Sequence, residues 1–247
     1  MLSFFHTILY VPIYNLLIFL VGIVPQGDVG IALIGVVILV RLIILPLSLS
    51  QVRTQKAMQV HAPEIKALQD KYKDDKEKLA KETFALYKKY KIKPFSSILT
   101  LFIQLPVLLT LYFIVKNKSL YVVNTALLYP FVHSPALLSP LFLGFFVISN
   151  PNIILAVLSA ASQFGYAYFG VPVPPAPVKS KDSTPGSMQE EFGRAMVLQM
   201  RFVLPIVIGV VSYASGALAL YFITTNIIML LQTLLVNFTH KSKPSPK

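Results

Sequence analysis

Charge is nearly absent from four long stretches of this chain and dense between the first two. Val29 to Leu49 carries a single charge, Arg41; Phe95 to Val115, Ser119 to Val178 and Phe202 to His240 carry none. A helix that crosses a bilayer needs about 20 apolar residues, so the first two stretches each predict one span. The third is interrupted by Pro130, Pro135, Pro140 and Pro151, and its best helix is Asn152 to Phe169. Ala136 to Ser149 is too short to cross and reads as a re-entrant or interfacial piece. The fourth stretch exceeds one helix and fits a tight hairpin broken near Ala214-Ser215-Gly216. Pro205 and Gly209 in its first arm are tolerated in membrane helices.

The pattern changes between residues 53 and 93. Lys, Glu, Ala, Leu and Gln dominate there, and all are good helix formers. Ile65, Leu68 and Tyr72 mark one apolar stripe; Leu79, Leu86 and Tyr90 mark another, with Phe84 and Tyr87 beside it. Asp74 with Glu77 three residues later fits a helix N-cap with a capping box. Two antiparallel helices of about 15–20 residues follow, packed along a narrow seam, with Pro63 starting or kinking the first. The polar face, with Lys71, Lys73, Lys76 and Lys78, is suited to dock a cytoplasmic partner.

The first 25 residues hold no Lys or Arg, so the positive n-region of a secretory signal is missing. Ser3, His6, Thr7, Tyr10 and Tyr14 recur at helical spacing. That polar stripe predicts an amphipathic helix lying in the outer interface, with a sixth span as the alternative.

Composition narrows the class. Of 247 residues 55% are hydrophobic and 13% charged, against about 25% charged in an ordinary soluble domain. Soluble enzymes and disordered chains are thereby excluded, and a polytopic membrane protein is expected. There is no cysteine, and the four histidines are far apart. Disulfides, thiolate chemistry and the usual zinc spacings are therefore excluded, and no cofactor or metal is expected.

The net charge of +12 is unevenly placed: 12 of the 22 basic residues lie from Arg53 to Lys93. Basic loops stay cytoplasmic, so the charge reports topology before nucleic-acid binding. With the 53–93 segment inside, five spans put the basic 179–201 region and the Lys-rich tail on the same side. A four-span arrangement would put the tail outside. The expected fold is all-α and polytopic: an external amphipathic helix at 1–26; spans at 27–50, 95–116, 150–170, 198–214 and 217–238; a cytoplasmic helical hairpin at 51–94; an external loop with the re-entrant piece at 117–149; a Pro-rich cytoplasmic loop at 171–197; and a basic cytoplasmic tail at 239–247. The N-terminus is then external and the C-terminus cytoplasmic.

Arg41 carries the functional signal. It falls near the middle of the first predicted span, where an arginine costs about 2.5–3.5 kcal/mol on the insertion scale. No Asp or Glu lies in any predicted span, so a water-filled cavity is the physical solution, and its fixed charge can attract an acidic ligand group. Hydrogen bonding to helix-end carbonyls is the competing reading. Gln104, Ser159, Ser162, Gln163, Thr224, Thr225, Asn226 and Gln232 could line the same groove, although an interhelical bond is the commoner role for each alone. A secondary transporter of a small anionic solute would also use midplane polar groups, but no internal repeat and no membrane carboxylate is present. A membrane enzyme needs a nucleophile with a base, or a metal; Ser159 and Ser162 have no apparent base, so no enzyme is expected.

The ordered motifs resemble the YidC-type membrane protein insertase family, related to the mitochondrial and chloroplast insertases, over nearly the whole chain. Arg41-Leu-Ile-Ile-Leu-Pro46-Leu is similar to the family's first span. Ala62-Pro63-Glu64-Ile65, Leu68-Gln69-Asp70-Lys71-Tyr72 and Asp74-Asp75-Lys76 resemble its cytoplasmic hairpin. Leu86-Tyr87-Lys88, Pro94, Phe102-Ile103-Gln104-Leu105-Pro106 and Leu111-Tyr112 resemble its second span. Ser215-Gly216, Leu220-Tyr221-Phe222, Asn226 and Gln232 are similar to its last. The order and spacing of these motifs are more specific than any one of them.

The resemblance implies five helices around a hydrophilic groove, open to the cytoplasm and lipid and closed outside. It puts the groove arginine at Arg41, a groove glutamine at Gln163, and at Phe222 an aromatic that is usually tryptophan. Phenylalanine keeps the ring but lacks the indole N–H, and Ala214 replaces the proline usual before Ser-Gly. The large external domain of some members and a lipobox cysteine are not found. The implied protein is an insertase and chaperone of the bacterial cytoplasmic membrane that works without a pore. Its implied partners are nascent membrane proteins, the ribosome, the Sec translocon and the bilayer, and it would function as a monomer.

Overall fold

The computed structural model of the protein describes residues 6–72, 75–93, 96–116, 123–170 and 198–241. Helix α1, His6–Ile23, opens on a π-turn and precedes a tight turn at Pro25–Gly27. Helix α2 is Val29–Ile43 and α3 is Leu45–Val60. The helices α4 (Ala62–Lys71) and α5 (Lys76–Lys89) follow, then α6 (Ser96–Lys116). Two short antiparallel strands, β1 (Leu141–Phe142) and β2 (Phe146–Val147), precede α7 (Ile153–Gly170), α8 (Gln199–Tyr213) and α9 (Gly216–Lys241).

By length and apolarity three described helices can cross a membrane: α1, α7 and the Gly216–Phe238 part of α9. A fourth is added if α2 and α3 are one broken span; Gln104–Val115 within α6, and α8, are apolar but shorter. The chain is thus a largely helical membrane protein. Its outward faces are apolar: Ile153, Ile154, Val157 and Leu158 on α7, and Ile206, Val207 and Val210 on α8, are exposed. Such a surface is stable against lipid and not against water. Between α7 and α8 small residues meet, with Gly209 against the Ala160 methyl, the close approach usual between membrane helices.

The first predicted span is not straight. Helices α2 and α3 meet at an angle of 68°. The bend falls at Ile44, and Pro46 stands in the first turn of α3, where its missing N–H is harmless. The continuous helix is therefore 15 residues, Val29–Ile43, or about 22 Å long.

Of the polar stripe expected on an interfacial α1, His6 and Thr7 are exposed, Tyr10 is half-buried and Tyr14 is buried, while Ser3 lies outside the described residues. Tyr14 and Asn15 are buried among Leu17, Ile18 and Val21. The Tyr14 hydroxyl accepts from the Asn124 N–H at 2.8 Å, while Asn15 donates to the Leu127 carbonyl and accepts from the Tyr129 N–H. A buried amide needs such partners, so these residues pin the 123–129 loop to α1.

Within the piece at 136–149, expected as re-entrant or interfacial, β1 and β2 form a short β-hairpin, and the fold is to that extent not all-α. Asp28 holds it. One carboxylate oxygen caps α2 by accepting from the Ile31 N–H, and the other accepts from the Leu143 N–H at 2.7 Å. Gly27 has a φ of +62°, and a Cβ there would lie 2.2 Å from the Leu137 carbonyl oxygen, so only glycine fits. At the α8–α9 corner, the Ser215 hydroxyl and the Ala217 N–H both donate to the Ile148 carbonyl.

The 51–94 segment, expected as a hairpin of two similar helices, holds α4 and α5 of unequal length after the end of α3. The first arm, α4, has 10 residues rather than 15–20, because α3 runs straight up to Val60 before it. The N-cap of α5 is Asp75, which accepts from the Lys78 N–H, rather than the expected Asp74. Asp74 lies outside the described residues, and with Asp75 as the cap Glu77 is one position short of a capping box.

Candidate functional site

Arg41 is buried to 4% exposure in the last turn of α2. Because the helix ends at Ile43, the arginine sits at a helix C-terminus, where the backbone dipole favours a cation by about 0.3–1 kcal/mol. Gln104 on α6 and Tyr221 on α9 close over it, with Val37, Val40, Ile44 and Val107 around them. The Gln104 amide donates to the Tyr221 hydroxyl. The guanidinium also lies within electrostatic range of the Tyr221 and Tyr166 rings.

The free space beside Arg41 is about 10 Å³, the room of roughly one water. That space is smaller than a groove that could admit a polypeptide segment. Arg41 Nη1 has no hydrogen-bond partner among the described residues. A buried donor left so costs about 1–3 kcal/mol, and more when charged.

A second polar cluster joins α7, α8 and α9. Asn226 donates to the Ser162 hydroxyl at 3.0 Å, Ser162 donates to the Ser159 carbonyl, and the Ser159 and Ser212 hydroxyls are 2.7 Å apart. Deeper along α9, Ser48 on α3 donates to the Gln232 side chain. Three polar clusters thus meet one helix, α9: Tyr221 and Gln232, eleven residues apart, share a face, while Asn226 is turned by about 140° toward α7.

The five residues expected in a groove are not all brought together. Arg41 and Gln104 share one cavity, and Asn226 belongs to the serine cluster. Gln163 is buried on α7, a turn before Tyr166. The aromatic beside Arg41 is Tyr221 rather than Phe222. Phe222 packs against the core and meets the Tyr221 ring edge-on at 5.4 Å. Tyr166, Ser48 and Ser212 were not singled out from sequence, where nothing separates them from other polar residues in apolar runs.

The hairpin carries its own cluster. His61 stacks on Tyr90 with ring centroids 3.4 Å apart, and His61 Nδ1 lies 2.9 Å from Glu64. The Tyr90 hydroxyl donates to Glu64 at 2.8 Å. These bonds, His61 first and Tyr90 second, hold the Glu64 carboxyl below the usual carboxylate range. Lys71, Lys76 and Lys78 are exposed; Lys78 pairs with Asp75 at 3.2 Å and Lys71 lies over the Tyr72 ring. Lys73 lies outside the described residues. Among the described residues no group of acids and histidines could hold a metal.

A family model described as "60Kd inner membrane protein" matches residues 20–243. The chain is 31% identical over 211 residues to a protein of Clostridium tetani (strain Massachusetts / E88) named "Membrane protein insertase YidC", covering 85% of this chain and 82% of that one. It is 31% identical over 238 residues to the protein of the same name from Oceanobacillus iheyensis, covering 94% and 83%. It is 31% identical over 225 residues to "Membrane protein insertase MisCA" of Bacillus subtilis (strain 168), covering 88% and 74%.

Proposed function

The chain belongs to the 60Kd inner membrane protein family, and we infer from that membership that it is a bacterial membrane protein insertase, which moves newly made membrane proteins into the bilayer. We propose further that Arg41 is the charge that receives the substrate.

The observation that carries the mechanism is the buried Arg41 guanidinium with an unpartnered Nη1. In the closed state Gln104 and Tyr221 hold the cavity shut. A short hydrophilic segment of the substrate enters from the cytoplasmic side and brings an acidic group to Arg41. The new ion pair satisfies the orphan donor, and the Gln104–Tyr221 bond yields to it. Polar groups of the substrate then cross a shorter stretch of lipid. The apolar segment that follows slides along α7 and α9 into the bilayer, driven by burial at about 25 cal/mol per Å². No covalent step is required.

The topology that goes with this reading counts α2, α6, α7, α8 and α9 as five spans and keeps α1, though long and apolar enough to cross, at the outer side, with an external N-terminus and a cytoplasmic C-terminus. The exposed Lys71, Lys76 and Lys78 support a cytoplasmic hairpin that meets the ribosome, with the Sec translocon as an additional partner and the monomer as the working unit. The β-hairpin held by Asp28, and the 123–129 loop pinned by Tyr14 and Asn15, support closure on the outer side.

The test is reconstitution in liposomes with a single-span substrate bearing a short acidic tail. Wild type is expected to insert it above empty liposomes, and Arg41→Ala to insert it poorly. Equal insertion by both would remove the arginine from the mechanism.

A further inference from the structure

A second, larger cavity of about 650 Å³ lies where the hairpin meets the end of α9. It is unconnected with the Arg41 site in its lining. One part of the wall is polar: Lys56 of α3, His61, and Tyr90 of the loop after α5. The other part is apolar: Val60, with Leu234 and Phe238 from the last turns of α9. Val60 and Phe238 are themselves exposed, at 59% and 70%.

We propose that this cavity binds one anionic phospholipid of the cytoplasmic leaflet, its phosphate at Lys56 and His61 and the upper part of an acyl chain against Val60, Leu234 and Phe238. The proposal rests on the reading of α9 as a membrane span with its C-terminal end at the cytoplasmic surface.

Three observations single out a lipid. The volume is within the range of small-molecule sites, about 300–1,000 Å³, and far exceeds what a lone phosphate fills. The lining divides into a cationic and an apolar part, which matches an amphiphile and not an inorganic ion. The position is at the end of the last apolar span, where headgroups would lie, and basic pockets between helices on the cytoplasmic side are the usual sites for anionic headgroups.

The charges around the cavity are favourable. Lys56 makes no ion pair with any described residue. The carboxylate joined to the wall is Glu64, and it is engaged by His61 and the Tyr90 hydroxyl. The Lys89 ammonium sits 4.7 Å above the Tyr90 ring and adds a second cation behind it. His61 is held by stacking and by Glu64 in a fixed orientation, so the headgroup side of the cavity is preformed.

The experiment is native mass spectrometry of the full chain released from nanodiscs of phosphatidylcholine with a minor fraction of phosphatidylglycerol. Wild type is expected to retain one phosphatidylglycerol in preference to phosphatidylcholine. Lys56→Ala should lose that preference by about fivefold, the effect of one surface cation on an anionic lipid, and Lys56→Arg should keep it. Phe238→Ala should weaken retention of both lipids alike. Equal retention of the two lipids by wild type overturns the proposal. Displacement of the bound lipid by millimolar inorganic phosphate also overturns it, in favour of a free-anion site. Insertion measured in the same nanodiscs separates the two ideas: a protein that inserts substrate without lipid preference sinks this site alone, and one that selects lipid without inserting sinks the insertase mechanism alone.

Discussion

The Gln104 amide and the Tyr221 hydroxyl, 117 residues apart in sequence, are joined by a hydrogen bond at the edge of the Arg41 cavity. This bond ties α6 to α9 and completes the enclosure of a charge that has an unsatisfied donor. Closure and electrostatic tension are therefore built from the same three residues.

Tyr221→Phe removes the bond but keeps the ring. Loss of a typical side-chain bond costs about 1 kcal/mol. Thermal unfolding in detergent should show a fall of a few degrees, together with faster reaction of a thiol probe at an introduced Val107→Cys, which lines the cavity and leaves Gln104 in place. An unchanged probe rate would mean that the bond does not hold the cavity shut.

At position 41 the requirement is for positive charge. Arg41→Lys should retain most insertion of a substrate with an acidic tail, whereas Arg41→Glu should lose it and spare a neutral tail. Rates with the two tails, measured side by side in liposomes, decide this; equal loss with both would assign Arg41 a structural role.

Asp28 joins α2 to the β-hairpin through both carboxylate oxygens. Asp28→Ala removes a cap and orphans the Leu143 N–H, a destabilisation of about 1–3 kcal/mol. Gly27→Ala should be worse, since its Cβ meets a backbone oxygen at 2.2 Å. Both are read from unfolding midpoints, and a wild-type midpoint for either would contradict the hairpin's placement.

The His61–Glu64–Tyr90 cluster should withstand mild acid. Glu64 has its pKa lowered in the fold, chiefly by the His61 bond. Its contribution is then fully present above the unfolded value of about 4.3 and is lost as pH falls through the folded value below it. A Glu64 carboxyl resonance followed by NMR should titrate below that of an exposed glutamate. Titration at or above the ordinary value would show that the bonds do not form in solution.

Reversal of charge at Lys71, Lys76 and Lys78 together should weaken binding to purified ribosomes without changing the unfolding midpoint, because all three are exposed. The wild-type affinity should fall with added salt, as exposed charges are screened. Salt-independent binding, unaffected by the triple variant, would place the ribosome contact elsewhere.

Charge-free runs and their proline breaks were enough to set the class of this protein and the general position of its long helices. That information is local: about 20 apolar residues must be removed from water whatever their neighbours. The basic segment and its apolar stripes likewise announced α4 and α5. The solitary Arg41 identified itself by its cost, because a charge in an apolar run needs a reason.

Tertiary structure decided the rest. The 68° bend at Ile44 put Arg41 at the end of a helix, and no periodicity in an apolar run reports such a bend. Tyr221 rather than Phe222 faces the arginine, since one residue along a helix turns the side chain by about 100° and packing of α9 against α2 and α6 fixed the rotation. Whether the cavity stands open or closed also depends on that packing. Tyr14 reads as one member of an interfacial stripe, and Asn15 gives no sequence signal, until the 123–129 loop is seen to supply their partners. Hydropathy records how much each residue avoids water, but a hydrogen bond across a hundred residues depends on where the chain returns, and only the folded molecule contains that.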